Sequence, residues 1–567
     1  MRLRRIFKNK RIGKSEIDPD EIFLDSTNIP RFNRSQLEGN IERSMSSKSG
    51  YGIGIFALIV LIVFAGKLWV LEVKNYNSYA TRSENNRLRF ATIFPERGKI
   101  FDRNGALIAK NDDTKDETLG YKPRVYDNIT GIGNAIGFVK YPKVDSSGFY
   151  YQTEVEGRDG IEKSYNNVLS GTNGVKIVEV DAHNKIQSEG LFNNPEDGKN
   201  LKLSFDTRFT KAFYGFMEQT ASQRGFSGGA SALMDINTGE LLVLTSFPEY
   251  NPQILTDGKN ATVLKNYAED SRKPYLDRPI NGLYAPGSIV KPFVALGALN
   301  EKIISPDKVL ETHGYISIPN EYDPTKNSVF NDWRNNGPVD MRKAIAVSSD
   351  VYFYEIGGGF EKQIGLGIEK IKKYLKLFGF GSSIDDPYLF GENGVIPDQD
   401  WKEKNFPGDP WRVGDTYNMS IGQYGLQVTP IQVVRAVSAI ANGGKIVEPT
   451  VIFQDGSEPI KKVDTGIPAD YFKVVEEGMR QGVIDGTASG LNVPQVAVAA
   501  KTGTAEVGIS KARVNSWVIG FFPYDKPHYA FAVMMEKGPR DNTVGALYVM
   551  RQFLEWASVN APELLKS

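Results

Sequence analysis

The chain has 567 residues, which is too long for one hydrophobic core and predicts two or three domains. Hydrophobic residues make up 40% and charged residues 24%, and this composition excludes wholesale disorder. Lys plus Arg and Asp plus Glu both number 68, so the basic excess typical of nucleic-acid-binding proteins is missing. The sequence has no Cys and only His183, His313 and His528, far apart. A thiolate nucleophile is excluded, and neither a zinc site nor a Ser-His-Asp triad is expected.

The N-terminal region is basic and precedes a long apolar segment. Seven of the first fourteen residues are Lys or Arg and none is acidic. Residues 1–50 are otherwise polar and predict a cytoplasmic tail without its own core. Residues 51–71 carry one charge, Lys67, and as a helix would be about 31 Å long, close to the hydrocarbon thickness of a bilayer. Tyr51 and Trp69 suit the two interfaces, so we expect a single transmembrane helix with a cytoplasmic N-terminus. A buried core helix is the alternative.

Residues 72–198 mix short strand-like runs with turn signals. The turn signals end in glycine and lie at Asp102–Gly105, Gly157–Gly160 and Gly171–Gly174. This pattern predicts a β-rich module with long connections.

From residue 199 to the C-terminus the pattern predicts one α+β domain. Two apolar runs around Asn237-Thr-Gly239 indicate a β-hairpin over residues 230–245. Three later strands are predicted at residues 496–500, 516–522 and 529–535, and helices at residues 339–356, 363–378, 430–442 and 544–557. Strands at both ends of a region with helices between them indicate an antiparallel sheet flanked by helices.

The first candidate for chemistry is the segment Tyr284–Pro292, which reads Tyr-Ala-Pro-Gly-Ser-Ile-Val-Lys-Pro. Its Pro-Gly pair breaks the preceding structure, and Ser288 is predicted to open a helix on which Lys291 shares its face. A desolvated, neutral lysine can take the proton of a serine hydroxyl, which is otherwise a poor nucleophile. The segment Ser305–Lys308 has the same spacing but lacks the preceding glycine.

The second candidate is Ser348-Ser-Asp350. A hydroxyl and a short acceptor two residues apart can relay a proton and hold a substrate amide. The tripeptide is also typical of a helix cap, and the residues alone leave both interpretations open.

The third candidate, Lys501-Thr-Gly-Thr504, directly follows the predicted strand at 496–500. With strand alternation, Lys501 and Gly503 point to one face, and the glycine lets a ligand approach the backbone. A lysine and the hydroxyls of Thr502 and Thr504 suit a substrate carboxylate. A plain strand-to-turn exit is the alternative.

The order of the three motifs is more specific than any one of them. Ser348 follows Ser288 by 60 residues (348 − 288), and Lys501 follows Ser348 by 153 (501 − 348). The order S-x-x-K, S-x-[ND], K-T-G is that of penicillin-binding proteins and β-lactamases.

Further segments resemble class B penicillin-binding proteins. Residues 97–105 and 157–174 are similar to motifs of their pedestal domain, and residues 411–423 to their transpeptidase domain. The resemblance runs from about residue 50 to the end. It implies a pedestal (dimerisation-type) domain at 72–198 and a penicillin-binding, serine β-lactamase-like transpeptidase domain at 199–567.

The resemblance implies four catalytic residues. Ser288 attacks the D-Ala-D-Ala carbonyl of a stem pentapeptide and releases the terminal D-Ala, and Lys291 is its base. Ser348 passes the proton toward the leaving amine, and Asp350 helps to hold Lys291 and the substrate.

It also implies four substrate-binding residues. Lys501, Thr502, Gly503 and Thr504 bind the donor at its terminal carboxylate. The backbone N–H groups of Ser288 and Thr504 form the oxyanion hole, and no metal or organic cofactor is implied.

The implied partners are stem peptides, lipid-linked precursor strands, β-lactams as inhibitors and the membrane, but no nucleic acid. The implied location is the cell (inner, cytoplasmic) membrane, with the catalytic domain extracytoplasmic. Asp350 stands where most of the superfamily has Asn. Together with residues 282–287 it resembles the elongation-specific branch, penicillin-binding protein 2, which works beside a polytopic SEDS-type glycan polymerase.

The alternatives are a septal transpeptidase, a D,D-carboxypeptidase or β-lactamase-like hydrolase, and a non-catalytic scaffold or β-lactam sensor. The anchor, the β-rich module and the lack of an obvious Glu to activate a deacylating water disfavour a hydrolase. A scaffold is disfavoured because every polar catalytic position is filled.

Overall fold

The structure is a computed structural model, and it describes residues 47–566 except 114–119, 147–149, 181–185, 321–322, 324, 457–459 and 509. The basic N-terminus and nearly all of the predicted cytoplasmic tail lie outside the described residues. The chain divides after Leu88 into two compact units.

The first unit is helical. It contains α1 (Ser47–Trp69), a π-helical turn (Val70–Lys74) and α2 (Tyr76–Arg87). Within the described part of the chain, one helical stretch, Lys48–Lys74, is long and apolar enough to cross a membrane, and no residue of its apolar window is buried. An exposed apolar helix disagrees with the buried core-helix alternative and is consistent with a single-pass anchor.

The first part of the second unit is β-rich with long connections, as the turn signals predicted. Its elements are β1 (Leu88–Ile93), β2 (Ile100–Phe101), β3 (Leu107–Asn111), β4 (Arg124–Tyr126), α3 (Gly133–Ile136), β5 (Val139–Lys140), β6 (Lys143–Val144), β7 (Tyr150–Gln152), β8 (Glu156–Gly157), α4 (Gly160–Ser164), α5 (Asn166–Leu169), β9 (Gly174–Val180), β10 (Ile186–Asn193) and β11 (Leu201–Lys202). The larger sheets have the orders β1-β9-β10 and β11-β2-β3-β4. Because β11 pairs in parallel with β2, this part of the chain ends beside its beginning.

The rest of the second unit mixes helices and strands. In chain order these are α6 (Thr207–Arg224), β12 (Gly228–Asp235), β13 (Leu241–Phe247), α7 (Pro252–Asp257), α8 (Ala261–Glu269), α9 (Arg278–Asn281), α10 (Lys291–Asn300), β14 (Leu310–Thr312), β15 (Tyr315–Pro319), β16 (Asn327–Asn331), β17 (Gly337–Val339), α11 (Met341–Val347), α12 (Asp350–Gly358), α13 (Gly367–Leu377), α14 (Gln399–Asn405), α15 (Val413–Ser420), α16 (Pro430–Ala441), β18 (Lys445–Val447), β19 (Lys462–Asp464), α17 (Ala469–Ile484), β20 (Ala499–Val507), β21 (Arg513–Phe522), β22 (Tyr529–Pro539) and α18 (Ala546–Asn560).

The central sheet has the order β13-β12-β22-β21-β20, and every neighbouring pair is antiparallel. Strand alternation gives it two buried faces. On β12, Ala232 and Met234 belong to one core, while Leu233 belongs to the other. The second core lies under α6 and α18, where the rings of Phe213 and Phe553 stack with centroids 3.9 Å apart. The prediction of an α+β fold with a helix-flanked antiparallel sheet is confirmed.

The predicted single helix over residues 339–356 is wrong. The chain forms α11 and α12 instead, because Ser348 takes a left-handed conformation with φ +58° and ends α11. Ser349 then caps α12 by accepting a hydrogen bond from the N–H of Tyr352. Of the two interpretations of this tripeptide, the helix cap is correct for Ser349.

Other element boundaries also differ from prediction. The strand predicted at 496–500 is β20, which begins at Ala499 and runs to Val507, so the third motif lies inside a strand rather than after one. Its length comes from unbroken pairing with β21, in which Lys501 lies opposite Ile519. The helix predicted from residue 363 begins at Gly367.

Candidate active site

Ser288 lies in a 3-10 turn, Gly287–Val290, that precedes α10. The α-helix itself begins at Lys291, so the expectation that Ser288 opens it is corrected by three residues. A Cβ added at Gly287 would lie 2.9 Å from the carbonyl oxygen of Thr504, and one at Gly503 would lie 2.9 Å from that of Pro286. Glycine at both positions therefore permits the close approach of the Ser288 turn to β20.

Lys291 joins the first motif to the second. Its side chain is fully buried, and its Nζ donates to Asp350 Oδ1 at 2.6 Å and to the carbonyl oxygen of Ser348 at 2.8 Å. A third contact to Ser348 Oγ is 3.3 Å long. The left-handed backbone of Ser348 turns both of its oxygens toward the same amine.

Lys501 joins the third motif to the second from the opposite side. Its Nζ donates to Ser348 Oγ at 2.8 Å and to the carbonyl oxygen of Thr502 at 2.8 Å. The Ser348 hydroxyl thus lies between two lysine amines. Such a chain can move a proton from one end to the other without large displacement of any group.

The surroundings of the Lys501 amine favour its unprotonated form. Burial and the positive charge of Lys291 hold the pKa of Lys501 well below its usual range, and the carboxylate of Asp350 opposes this only in part. A neutral Lys501 can accept a proton from Ser348, whereas an ordinary exposed lysine cannot.

A cleft of about 560 Å³ opens above these groups. Six of the eight predicted site residues line it, namely Ser288, Ser348, Asp350, Thr502, Gly503 and Thr504. The other two, Lys291 and Lys501, are buried beneath it and reach Ser348 through their amines. The structure therefore brings all eight residues together.

The second S-x-x-K segment lies elsewhere. Ser305 is exposed, and the amine of Lys308 donates to Gln363 Oε1 at 2.7 Å. Neither residue lines the cleft around Ser288.

Sequence reasoning missed several residues of the cleft. They are Trp333, Thr487, Val514, Ser516, Arg540, Asn542 and Thr543. Thr487 Oγ1 lies 2.8 Å from Thr502 Oγ1, so it supports a hydroxyl of the third motif. Nothing local in the sequence marks Thr487, because its partner is fifteen residues away on another element.

Two family models match the chain. The model of the penicillin-binding protein transpeptidase domain matches residues 229–553, and that of the penicillin-binding protein dimerisation domain matches residues 121–203. The predicted boundary between residues 198 and 199 stays a prediction.

Characterised proteins and solved structures resemble the chain over most of its length. The peptidoglycan D,D-transpeptidase MrdA of Acinetobacter baumannii is 27% identical over 595 residues, covering 88% of this chain and 85% of the relative. Pseudomonas aeruginosa PBP2 in complex with WCK 5153 is 29% identical with a TM-score of 0.67, covering 82% and 96% of the two chains. Helicobacter pylori PBP2 in complex with MreC is 27% identical with a TM-score of 0.69, covering 84% and 99%.

Proposed function

The chain belongs to the penicillin-binding protein transpeptidase family, and on that premise we propose that it is a peptidoglycan D,D-transpeptidase that uses Ser288 as its nucleophile. The observation that carries the proposal is the hydroxyl of Ser348, held between the buried amines of Lys291 and Lys501 beside the Ser288 turn. Serine acylation needs a base and a route for the proton to the leaving group, and the Ser348 hydroxyl between the two amines supports both roles.

The acylation half-reaction uses the four groups in sequence. Ser288 Oγ attacks the carbonyl carbon between the two D-Ala residues of a donor stem peptide. Lys291 passes a proton through Ser348 to the neutral amine of Lys501 and accepts the proton of Ser288 in its place. The amide bond then breaks, and a proton delivered through Ser348 leaves with the terminal D-Ala. Asp350 holds Lys291 in place through the 2.6 Å contact. The product is an ester between the shortened donor and Ser288.

The second half-reaction forms the crosslink. The amine of a second stem peptide attacks the ester carbonyl, the new amide bond forms, and the proton of the amine returns to Ser288 Oγ through the same chain of groups. No net oxidation or hydrolysis occurs. Water as the acceptor would give the carboxypeptidase alternative.

Strand β20 holds the donor. The hydroxyls of Thr502 and Thr504 line the cleft, and Lys501 adds an amine below them, so a terminal carboxylate finds donors on one strand. Gly503 permits the close approach of β20 to the Ser288 turn, which supports the N–H groups of Ser288 and Thr504 as the donors to the carbonyl oxygen of the substrate. Two backbone donors aimed at a developing oxyanion stabilise the transition state by about 3–4 kcal/mol each.

The cellular role follows from the branch and the anchor. Asp350 in the second motif and the similarity to MrdA and PBP2 support cell-wall elongation rather than septal synthesis. The exposed apolar helix Lys48–Lys74 supports a single-pass anchor with the catalytic domain extracytoplasmic. A SEDS-type glycan polymerase and an MreC-like protein are the proposed assembly partners, the latter from the complex of the Helicobacter pylori relative.

Acylation of the full chain in detergent or membranes by a fluorescent penicillin tests this function. Peptide mapping is expected to place the label on Ser288. Ser288→Ala is expected to lower the rate of labelling by about a millionfold. Ser305→Ala is the matched control, since it removes the serine of the other S-x-x-K segment, and it should label normally. Label on Ser305, or undiminished labelling of Ser288→Ala, contradicts the proposal.

A further inference from the structure

The loop between β16 and β17 lies against the second catalytic motif. Asp332 and Trp333, at the start of this loop, both contact the junction between α11 and α12. Neither residue belongs to any of the three motifs, and Ser349 lies seventeen residues further along the chain.

The carboxylate of Asp332 is directed at the beginning of α12. Its Oδ2 accepts hydrogen bonds from Ser349 Oγ at 2.8 Å, from the N–H of Val351 at 3.1 Å and from Asn336 Nδ2 at 3.2 Å. Its Oδ1 accepts from the N–H of Trp333 at 2.8 Å, which orients the carboxylate within its own loop. A negative charge at a helix N-terminus is favourable, so the contact suits α12 electrostatically.

Trp333 holds the other side of the same junction. Its indole Nε1 donates to the carbonyl oxygen of Val347, the last residue of α11, at 3.2 Å. The loop thus contacts the chain on both sides of Ser348. Trp333 binds Val347 before it, and Asp332 binds Ser349 and Val351 after it. Between these contacts, Ser348 keeps the left-handed conformation that turns both of its oxygens to Lys291.

That conformation needs support from outside the tripeptide. A non-glycine residue with φ near +58° is strained and persists where surrounding contacts determine it. Relaxation of Ser348 would move its hydroxyl away from Lys291 and Lys501 together, while Asp350 would shift with the first turn of α12. The hydrogen bonds that join Lys291, Ser348 and Lys501 therefore depend on the geometry of the α11–α12 junction.

We propose that Asp332 is a positioning residue for transpeptidation, which acts through Ser349 and Val351 to hold Ser348 and Asp350 against Lys291. The inference rests on the proposed function, because it concerns how the same site is held ready. A misplacement of about 1 Å in a catalytic group typically lowers the rate about a hundredfold.

The test measures acylation of the full chain by a fluorescent penicillin, separating noncovalent binding from the acylation rate constant. Asp332→Ala is expected to lower the rate constant about tenfold to a hundredfold while the dissociation constant of the initial complex stays close to wild type. Ser349→Ala, which removes the partner hydroxyl together with its cap on the N–H of Tyr352, should lower the rate constant in the same direction. Measurements are made well below the melting temperature of each variant, so loss of folded protein does not contribute.

Asp323→Asn is the matched control, because Asp323 is a carboxylate of the neighbouring hairpin paired with Lys326 and not with α12. It should acylate at the wild-type rate. The double variant of Asp332 and Ser349 should lose less than the sum of the two single losses in free energy, since the two residues share one hydrogen bond. If Asp332→Ala does not fold, Ser349→Ala alone carries the test.

Three outcomes overturn the inference. Wild-type rate constants in both single variants would show that the junction does not depend on Asp332. A loss confined to the initial binding step would make Asp332 a ligand contact instead, and full additivity would separate its action from Ser349. Failure of the wild-type chain to acylate at Ser288 would instead contradict the proposed function itself.

Discussion

Two buried clusters in this chain each combine two basic side chains with one carboxylate. In the β-rich part, Glu162 is fully buried and accepts from Arg97 Nε at 2.6 Å and Arg124 Nε at 2.7 Å. Burial raises the pKa of the Glu162 carboxyl, but the charges of Arg124 and Arg97 outweigh it and lower that pKa overall. Arg97 also donates to Asn166 Oδ1 at 2.9 Å, which ties the cluster to α5.

In the catalytic cluster the two basic side chains are lysines. Lys291 pairs with Asp350, whereas Lys501 contacts only neutral oxygens, those of Ser348 and Thr502, among its described hydrogen bonds. Burial and the charge of Lys291 lower the pKa of Lys501 well below its usual range.

The difference between the two clusters lies in the choice of cation. Arginine keeps its proton under all ordinary conditions and offers a planar fork, so the Glu162 cluster is a fixed crosslink. Burial lowers the pKa of lysine, so a buried lysine can release and accept a proton in the same low-dielectric setting. The first cluster stabilises the fold, and the second serves the proposed chemistry.

Replacing Lys291 by arginine is expected to have the largest effect on the catalytic cluster. Lys291→Arg keeps a cation near Asp350 but removes the base, so the acylation rate should fall about a hundred- to ten-thousandfold. The measurement is the second-order rate of labelling by a fluorescent penicillin. Lys308→Arg, in the other S-x-x-K segment, is the control and should label normally. A Lys291→Arg rate within about tenfold of wild type would mean that Lys291 is not the base.

Removing the carboxylate of the structural cluster should affect stability instead. Glu162→Gln leaves two buried arginines without their counter-charge, and the free energy of unfolding should fall by about 3–5 kcal/mol. Glu156→Gln, which breaks the exposed 3.2 Å pair with Arg158, should change it by less than about 1 kcal/mol. Thermal and denaturant unfolding measure both. Equal losses in the two variants would contradict the assignment of Glu162 as a buried crosslink.

The lowered pKa of Lys501 makes the stability of the native protein pH-dependent. In the unfolded chain Lys501 binds its proton below the ordinary lysine pKa of about 10.4. In the native protein it stays unprotonated until pH falls to its lowered pKa. Between these two pH values the unfolded chain carries one more proton than the native protein. In that window the free energy of unfolding should fall by about 1.4 kcal/mol for each unit by which pH is lowered.

Lys501→Met removes the titrating amine and should remove this slope, so the variant gains stability over wild type as pH falls below 10.4. Denaturant unfolding at a series of pH values measures the difference. Lys511→Met, at an exposed position, is the control and should keep the wild-type slope. Parallel curves for wild type and Lys501→Met would show that Lys501 titrates normally in the native protein.

The smallest effect is expected at Thr487, which belongs to neither the Glu162 cluster nor the catalytic cluster. Thr487→Val removes the 2.8 Å contact to Thr502 Oγ1, worth about 1 kcal/mol, and should slow acylation several-fold. Thr210→Val removes a comparable 3.0 Å bond in α6 and should leave acylation unchanged. Identical acylation by the two variants would mean that Thr487 does not support the third motif.

Several features of this chain depend on local spacing and could be predicted from the amino-acid sequence. The three-residue step from Ser288 to Lys291, the turn at Asn237-Thr-Gly239 and the uninterrupted apolar run after Tyr51 each follow from the geometry of one element. The motif order also identified eight residues that the structure brings together at or beneath the cleft, because family motifs keep their residue types and order along the chain.

Features that join distant segments depend on tertiary contacts and could not be predicted from local patterns. Helix propensity extends through residues 339–356, and the break at Ser348 is maintained by contacts with Asp332 and Trp333 from another element. Strand β20 continues past Ala500 because β21 pairs with it, although its own residues lack apolar alternation. Local rules act over about four residues, whereas these contacts depend on which surfaces pack together once the whole domain has folded.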